Sequence, residues 1–252
     1  MANPVPAHRL NRLLIKLGED DRQALRPLLA PVTLEYKRPL YEAHRPIEFV
    51  YFLESGVASL VSAMTNGAAA EVGTVGNEGV VGLPILLGDE LAPTSMYMQV
   101  PGQGLQIKAA AFREQMARSA TLRTLMLRYA HAFFNQVAQT AACAHFHNLE
   151  ARCCRWLLMT RDRMPSDEFR LTHEFLAMML GVRRAGVTVA AGTLQRRGYI
   201  RYERSVVTIL DRTGLESAAC ECYAVAKAEF DRVLGADDDS IEAEPRKRRR
   251  LK

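Results

Sequence analysis

The chain has 252 residues, 48% hydrophobic and 24% charged, with a formal net charge of +5, a balance that fits a folded globular protein of one large or two modest domains. No apolar run reaches the ~18 residues of a membrane span, so no membrane association is expected. Aromatics, at 7%, are too few for an extensive single-strand stacking platform. The segment from Met1 to Arg12 lacks the apolar core of a secretory signal, and the five cysteines, Cys143, Cys153, Cys154, Cys220 and Cys222, fit reduced thiols in a cytoplasmic protein.

Taken in chain order, Leu10, Leu13, Leu14 and Leu17 fall on one helical face, and Asp20-Asp21 can open a second short helix. From Val32 to Ile107 the texture becomes that of short strands separated by Gly, Pro and Asn. The runs are Pro31–Thr33, Ile47–Leu53, Gly56–Ser62, Val72–Val75, Met96–Pro101 and Leu105–Ile107. Phe49 to Leu53 followed by Glu54-Ser55-Gly56 reads as strand, turn, strand. Asn66-Gly67 is a hairpin signal, because both residues tolerate positive φ. Such spacing predicts a small β-roll or barrel.

Between Ala120 and His147 there is almost no Gly or Pro, and Leu122, Leu125, Tyr129, Phe133, Val137 and Ala141 follow one helical stripe. A helix of this length, roughly 40 Å at 1.5 Å per residue, exceeds what a small domain covers. The stripe predicts a dimer seam; burial of the helix along its own roll is the alternative. Asn148 to Met164 reads as a further helix, broken at Pro165-Ser166. Asp237-Asp238-Asp239 opens a polar tail ending in Arg246 to Arg250, read as disordered, with nonspecific DNA affinity as an optional role.

The segment from Leu171 to Leu210 carries the function. Thr172 is a helix N-cap residue, and Phe175, Leu176, Met179 and Leu180 make a short amphipathic helix. Gly181 accepts the left-handed backbone of a sharp turn. Val187, Ala190, Ala191 and Leu194 then give a second helix its inward face. Two short helices on a glycine turn form a helix-turn-helix, whose second helix enters the major groove of double-stranded DNA. Thr172, His173, Arg183, Arg184 and Thr188 are the candidate DNA contacts at its exposed end. Arg196, Arg197, Arg201 and Arg204 follow on the helix end and a hairpin wing. Between Gly181 and Arg204 there are six arginines and one acid, Glu203; arginine suits guanine edges and phosphates alike.

This order of elements resembles the Crp/Fnr family of bacterial regulators, named for the cyclic-AMP receptor protein and the fumarate and nitrate reduction regulator. The likeness spans residues ~10 to ~235 and includes the run Glu150 to Leu158 after the long helix. It implies an α+β fold: a double-stranded β-roll of the cyclic-nucleotide-binding type over 10–118, a dimerisation helix and connecting helix over 119–164, and a winged helix-turn-helix over 165–235, with the tail at 236–252. It further implies a homodimer on a two-fold operator, with RNA polymerase as a partner if the protein activates. Where the family's recognition helix reads Arg-Glu, three residues, then Arg, this chain has Arg184, Ala185 and Val189, so a different operator is expected. The family's nucleotide pocket uses Gly-Glu-Leu-Gly and a later Arg-Ser or Arg-Thr. Here the candidate effector residues are Gly79, Val80, Val81 and Gly82, with Thr94 and Ser95 downstream. Val80 and Thr94 replace the glutamate and the arginine, so a cyclic phosphate has no cation to meet and no cofactor is predicted.

The glycines at 73, 76, 79 and 82 precede no Gly-Lys-Ser/Thr, so they make no P-loop; tight turns are expected of them. Cys143, His145, His147, Cys153 and Cys154 crowd within twelve residues. On a helix, however, 143 and 147 share a face while 145 points elsewhere, and adjacent cysteines cannot form a Cys-x-x-Cys clip. Core packing is expected of them, and of Cys220 and Cys222 on a late helix; no metal is predicted. Neither a Gly-x-Ser-x-Gly elbow nor a His-Glu-x-x-His site is present, so no catalytic residues are expected. The alternative to DNA binding is an effector-binding regulatory subunit whose basic face meets a protein.

Overall fold

A computed structural model describes residues 10–164 and 166–235; the expected charged tail, the break at Pro165 and the first nine residues lie outside the described residues. Two short helices open the chain, α1 (Arg12–Lys16) and α2 (Glu19–Leu25), followed by a 3-10 turn at Arg26–Leu28. Eight strands follow: β1 (Ala30–Leu34), β2 (Pro39–Tyr41), β3 (Phe49–Leu53), β4 (Val57–Ala63), β5 (Ala69–Val75), β6 (Val80–Val81), β7 (Ser95–Val100) and β8 (Gly102–Lys108). A one-turn helix, α3 (Leu83–Leu86), separates β6 from β7. The strands form two antiparallel four-stranded sheets, in the orders β1-β8-β3-β6 and β2-β7-β4-β5.

Strand, turn, strand holds over Phe49–Ala63, but Glu54-Ser55-Gly56 joins two sheets rather than closing a hairpin: β3 pairs with β8 and β6, while β4 pairs with β5 and β7. The turn carries the chain from one sheet to the other, so Phe52 and Leu53 can be wholly buried between the layers. Asn66-Gly67 does join β4 to β5. Its tip is tied by Gly67 N–H to Met64 O (2.9 Å) and Met64 N–H to Ala68 O (2.7 Å), with Gly67 at φ 83°.

Beyond the roll, α4 (Ala109–Arg118) leads into α5 (Ala120–Phe146), 27 residues capped by Ser119 Oγ on Leu122 N–H. Then comes α6 (Leu149–Arg161), capped by Asn148. The remainder comprises β9 (Glu168–Arg170), α7 (His173–Leu180), α8 (Arg184–Arg196), β10 (Ile200–Glu203), β11 (Val206–Ile209), α9 (Arg212–Ala218) and α10 (Cys222–Leu234). Among the described residues no single helix is long and apolar enough to cross a membrane.

The predicted stripe on α5 is largely inward. Leu122, Tyr129 and Phe133 are 1%, 1% and 2% exposed and belong to the roll's own core, and Leu125 and Val137 pack against it. Only Ala141 of the six is exposed. The large apolar side chains that α5 leaves uncovered are Leu127 (45%), Phe134 (66%) and, at its last residue, Phe146 (83%); Ala138 and Ala141 are exposed on the same face as Leu127 and Phe134. Periodicity located an apolar face correctly but not the surface that covers it: the helix is apolar on two sides, and its own roll takes the richer one.

A second core lies beneath the C-terminal elements, built from Trp156, Leu157 and Leu158 of α6 with Phe175, Leu176, Val187, Leu194 and the strands β9 to β11. The last helix, α10, returns to the first core through Phe230, Val233 and Leu234, stacking Phe230 against Tyr129 of α5 at 6.2 Å.

Candidate nucleic-acid interface

Thr172 ends an extended approach (φ −99°, ψ 150°), and its hydroxyl accepts the Phe175 N–H at 3.1 Å, so α7 starts there. Gly181 closes α7 in the left-handed region at φ 64°, where a side chain would be strained. Val182 N–H returns to Ala177 O at 2.9 Å, and the chain re-enters helix at Arg184 with its axis turned by 110°, within the range of a helix-turn-helix. Val187, Ala190 and Leu194 anchor α8 in the second core, and Ala191 is buried beside them. The opposite face is exposed: Arg183, Arg184, Ala185, Thr188 and Val189, the last at 68%. The hairpin of β10 and β11 stands beside it, turning at Arg204 and Ser205 with φ of 48° and 64°, and β9 completes a three-stranded sheet.

His173 locks these pieces together. Its Nδ1 lies 3.0 Å from Thr188 Oγ1 on α8, and its ring stacks on Tyr202 of β10 with centroids 4.3 Å apart. Tyr202 in turn donates its hydroxyl to Leu171 O at 2.9 Å. Burial, followed by the charge of Arg184, holds the imidazole below its ordinary pKa, so it is uncharged at neutral pH. Thr172 and His173 therefore act first as cap and brace.

The arginines divide. Arg183 and Arg184 stand at the N-terminal end of α8, Arg184 with Glu174 at 3.9 Å, and Arg201 and Arg204 are exposed on the wing. Arg196, at the far end of α8, donates to Thr193 Oγ1 at 2.9 Å. Arg197 turns away from the exposed face and pairs with Glu150 of α6, fastening α8 to the helix behind it. Ala185 and Val189 are outward apolar positions that do no packing; the period that sets Val187, Ala190 and Leu194 inward marks them.

In the roll, a cavity of about 380 Å³ opens between the sheets, α3 and α5. Of the six candidate effector residues, Val80, Gly82 and Thr94 line it, and Gly79, Val81 and Ser95 do not. Ser95 instead accepts the Ala43 N–H at 3.0 Å, and Val81 is wholly buried in the strand pair with β3. Tyr41, Met96, Tyr129 and Phe133 supply much of the wall, and among the described residues Asp89 is the one charged group in it. The glycine series also needs correcting. Gly76 and Gly79 do close a turn through Gly79 N–H to Gly76 O at 3.1 Å, but of the four only Gly82 has positive φ. A Cβ at 73 would stand 2.8 Å from Phe133, at 76 2.4 Å from Arg163, and at 79 2.5 Å from the Tyr129 hydroxyl. The absence of side chains there lets α5 and the end of α6 lie flat on the roll.

Cys153 and Cys154 are packed in the second core, where burial pushes both thiols up to about 12, the environment of an inert structural cysteine. Cys220 is not helical: it sits in the turn between α9 and α10, and only Cys222 opens the helix.

A roll of two sheets, a long helix along it, and a winged helix-turn-helix beyond define a transcription regulator with a DNA-binding helix-turn-helix domain. Residues 151–218 match the Crp-like helix-turn-helix domain, and residues 31–119 match the cyclic nucleotide-binding domain. The chain belongs to the Crp/Fnr family of transcription regulators. Similar solved structures include FixK2 from Bradyrhizobium japonicum, with 12% identity and TM-score 0.66 over 76% of this chain and 98% of that one. TTHB099, a CRP-family transcriptional regulator from Thermus thermophilus, is 22% identical, with TM-score 0.60 over 75% and 96%. CLP, a c-di-GMP responsive global regulator from Xanthomonas campestris, is 13% identical, with TM-score 0.58 over 76% and 99%. At these identities the structures speak for the fold. No curated protein matches the chain.

Proposed function

We propose that the protein is a homodimer that reads a two-fold DNA operator through α8, acts by binding rather than catalysis, and is controlled by an effector held in the roll cavity. The observation that carries this reading is the outward end of α8. Arg183 and Arg184, with Ala185, Thr188 and Val189, stand clear of the second core on a helix turned 110° from α7. Arginine there meets guanine O6 and N7 or a phosphate, while Val189 and Ala185 meet thymine methyl groups. Arg201 and Arg204 on the wing, and Arg196, reach the flanking backbone. Arg197 is committed to Glu150 and contributes through the position of α8.

Leu127, Phe134, Ala138 and Ala141 form the seam with a second copy. Their spacing of seven, four and three residues is that of a helix pairing with its equal, and Phe134 at 66% exposed is costly to leave in water. The cavity, lined mostly by apolar side chains with Asp89, Thr94 and two tyrosines among them, suits a compact uncharged molecule; an anionic cyclic phosphate would find no cation among the described lining residues. On an activated promoter the same dimer contacts RNA polymerase.

The test is selection of binding sites from genomic fragments with the full chain, alongside the Arg183→Ala, Arg184→Ala double variant. Enrichment of a two-fold sequence that the variant loses is the expected result. A folded dimer that enriches nothing at low salt, with and without cell extract as effector source, overturns it.

A further inference from the structure

Cys143, His147, Cys220 and Cys222 come from sequence positions up to 79 residues apart, yet one ligand atom from each lies within 4.8 Å of all the others. Cys143, in the last turn of α5, and His147, the C-cap residue just past it, face the α9–α10 turn. The Cys143 and Cys220 sulfurs are 3.5 Å apart, and Cys222 Sγ is 3.5 Å from His147 Nδ1. Two thiolates on one tetrahedral zinc stand about 3.8 Å apart, given Zn–S bonds near 2.3 Å, so the atoms are spaced for a single ion. A four-iron cluster holds its cysteines on separate metal atoms and needs a wider cage.

The surroundings agree. His147 Nε2 is 3.2 Å from Glu221 Oε2, so Nε2–H donates to the carboxylate and the Nδ1 lone pair is left directed at the sulfurs. Gln139 donates its amide N–H to Cys222 Sγ at 3.0 Å, a bond that favours sulfur carrying negative charge. The three cysteines are buried, at 1%, 7% and 0% exposed, and Ala151 packs against them. A disulfide between Cys143 and Cys220 would use only two of the four groups and leave the orientation of His147, Cys222 and Glu221 without purpose.

We propose that these four residues bind one Zn2+ in a closed tetrahedral Cys3His site that staples the end of α5 to the turn before α10. Four protein ligands leave no open position, which makes the site structural. Three soft thiolates with one imidazole select zinc over the harder divalent ions. Loading releases the thiol protons to solvent as the ion binds. The staple fixes the point where the chain leaves α5 for α6, and with it the attachment of the α6–α9 layer that carries the helix-turn-helix. Nothing in the metal assignment depends on DNA binding.

The experiment is elemental analysis of the full chain purified under reducing conditions without chelator, followed by zinc competition against a chromogenic chelator. About one zinc per chain is expected, lost in Cys222→Ser and His147→Ala and kept in Cys154→Ala, whose thiol lies in the other core. Glu221→Gln, which leaves all four ligands in place, is expected to weaken zinc binding by about tenfold. Cobalt exchanged into the site is expected to show the intense visible bands of a tetrahedral thiolate complex. A folded, reduced chain that carries no metal and takes up neither added zinc nor cobalt overturns the proposal. So does a Cys143–Cys220 disulfide mapped in protein that was never exposed to chelator, or zinc retained by both ligand variants.

Discussion

Arg163, just past the end of α6, holds Glu78 of the β5–β6 turn in a bidentate grip: Nε lies 3.0 and 3.1 Å from the two carboxylate oxygens and Nη2 2.7 Å from Oε1. Both side chains are 7% exposed. The remaining polar groups are also met, by Met159 O on the guanidinium and the Gly76 N–H on the carboxylate. The pair ties the start of the C-terminal layer to the roll.

Breaking this pair leaves a buried charge unpaired, so Arg163→Met or Glu78→Gln should lower stability by about 3–5 kcal/mol, read from the midpoint of urea unfolding. Burial raises the Glu78 carboxyl, but the charge and hydrogen bonds of Arg163 outweigh it and the net value lies below the ordinary one. Its contribution is therefore present above the ordinary carboxylate pKa and is lost as pH falls through the depressed value. Glu78→Gln should be less sensitive to acid than the parent, from a lower starting stability.

Glu71 behaves oppositely. It accepts from Ser59 Oγ at 2.6 Å and from Trp156 Nε1 at 3.0 Å, linking β5 to α6. Burial lifts its pKa from 4.5 to about 7, against the pull of Ser59, Trp156 and the nearby arginines. The folded chain then holds this proton more tightly than the unfolded one. Stability from this group is complete below about 4.5 and drains as pH rises through about 7, by on the order of 3 kcal/mol. Urea titrations at stepped pH should show that slope in the parent and its loss in Glu71→Gln.

On α8, Arg183→Ala and Arg184→Ala should each weaken operator binding by about 1–3 kcal/mol. Each phosphate contact removed should flatten the plot of log affinity against log salt by about 0.9. Val189→Ser should alter the preferred bases and leave thermal stability unchanged, because the side chain touches solvent rather than core. Binding-site selection and calorimetry on the same variants separate the two effects.

Neighbouring residues on α5 should part company. Phe134→Glu is expected to give a folded monomer by analytical ultracentrifugation. Phe133→Ala should destabilise the chain by about 3–5 kcal/mol, and Leu122→Ala by about 2–5 kcal/mol, with no direct effect on association.

What the sequence made legible was local. Thr172 as a cap, Gly181 as a left-handed turn and Asn66-Gly67 as a hairpin are dictated by their own backbone chemistry. Hence the helix-turn-helix and the β4–β5 hairpin can be read directly. The short pieces β2, β6 and α3 have no periodicity of their own and exist because neighbours pair with them. The stripe through Leu122, Tyr129 and Phe133 announced burial but could not name its partner, since Phe134 and Leu127 give the same helix a second apolar side. Arg197 was indistinguishable from Arg196 until α6 placed Glu150 beside it. The pairing of Cys143 and His147 on one face was visible; the sulfurs of Cys220 and Cys222 arrive only through the turn after α9.

Tyr129 and Phe133 line the cavity from inside while Phe134, one residue on, looks outward, so α5 is a party wall between two rooms. The proposed effector on one side and the proposed second copy on the other would share the same rod of backbone, so that whatever tilts or turns that rod for one would do so for both. By linkage, an occupant that tightens subunit pairing must itself be held more tightly by the pair than by the single chain, and by the same factor. If the chain pairs and binds an effector as proposed, subunit dissociation measured with no DNA present is a direct screen for that effector.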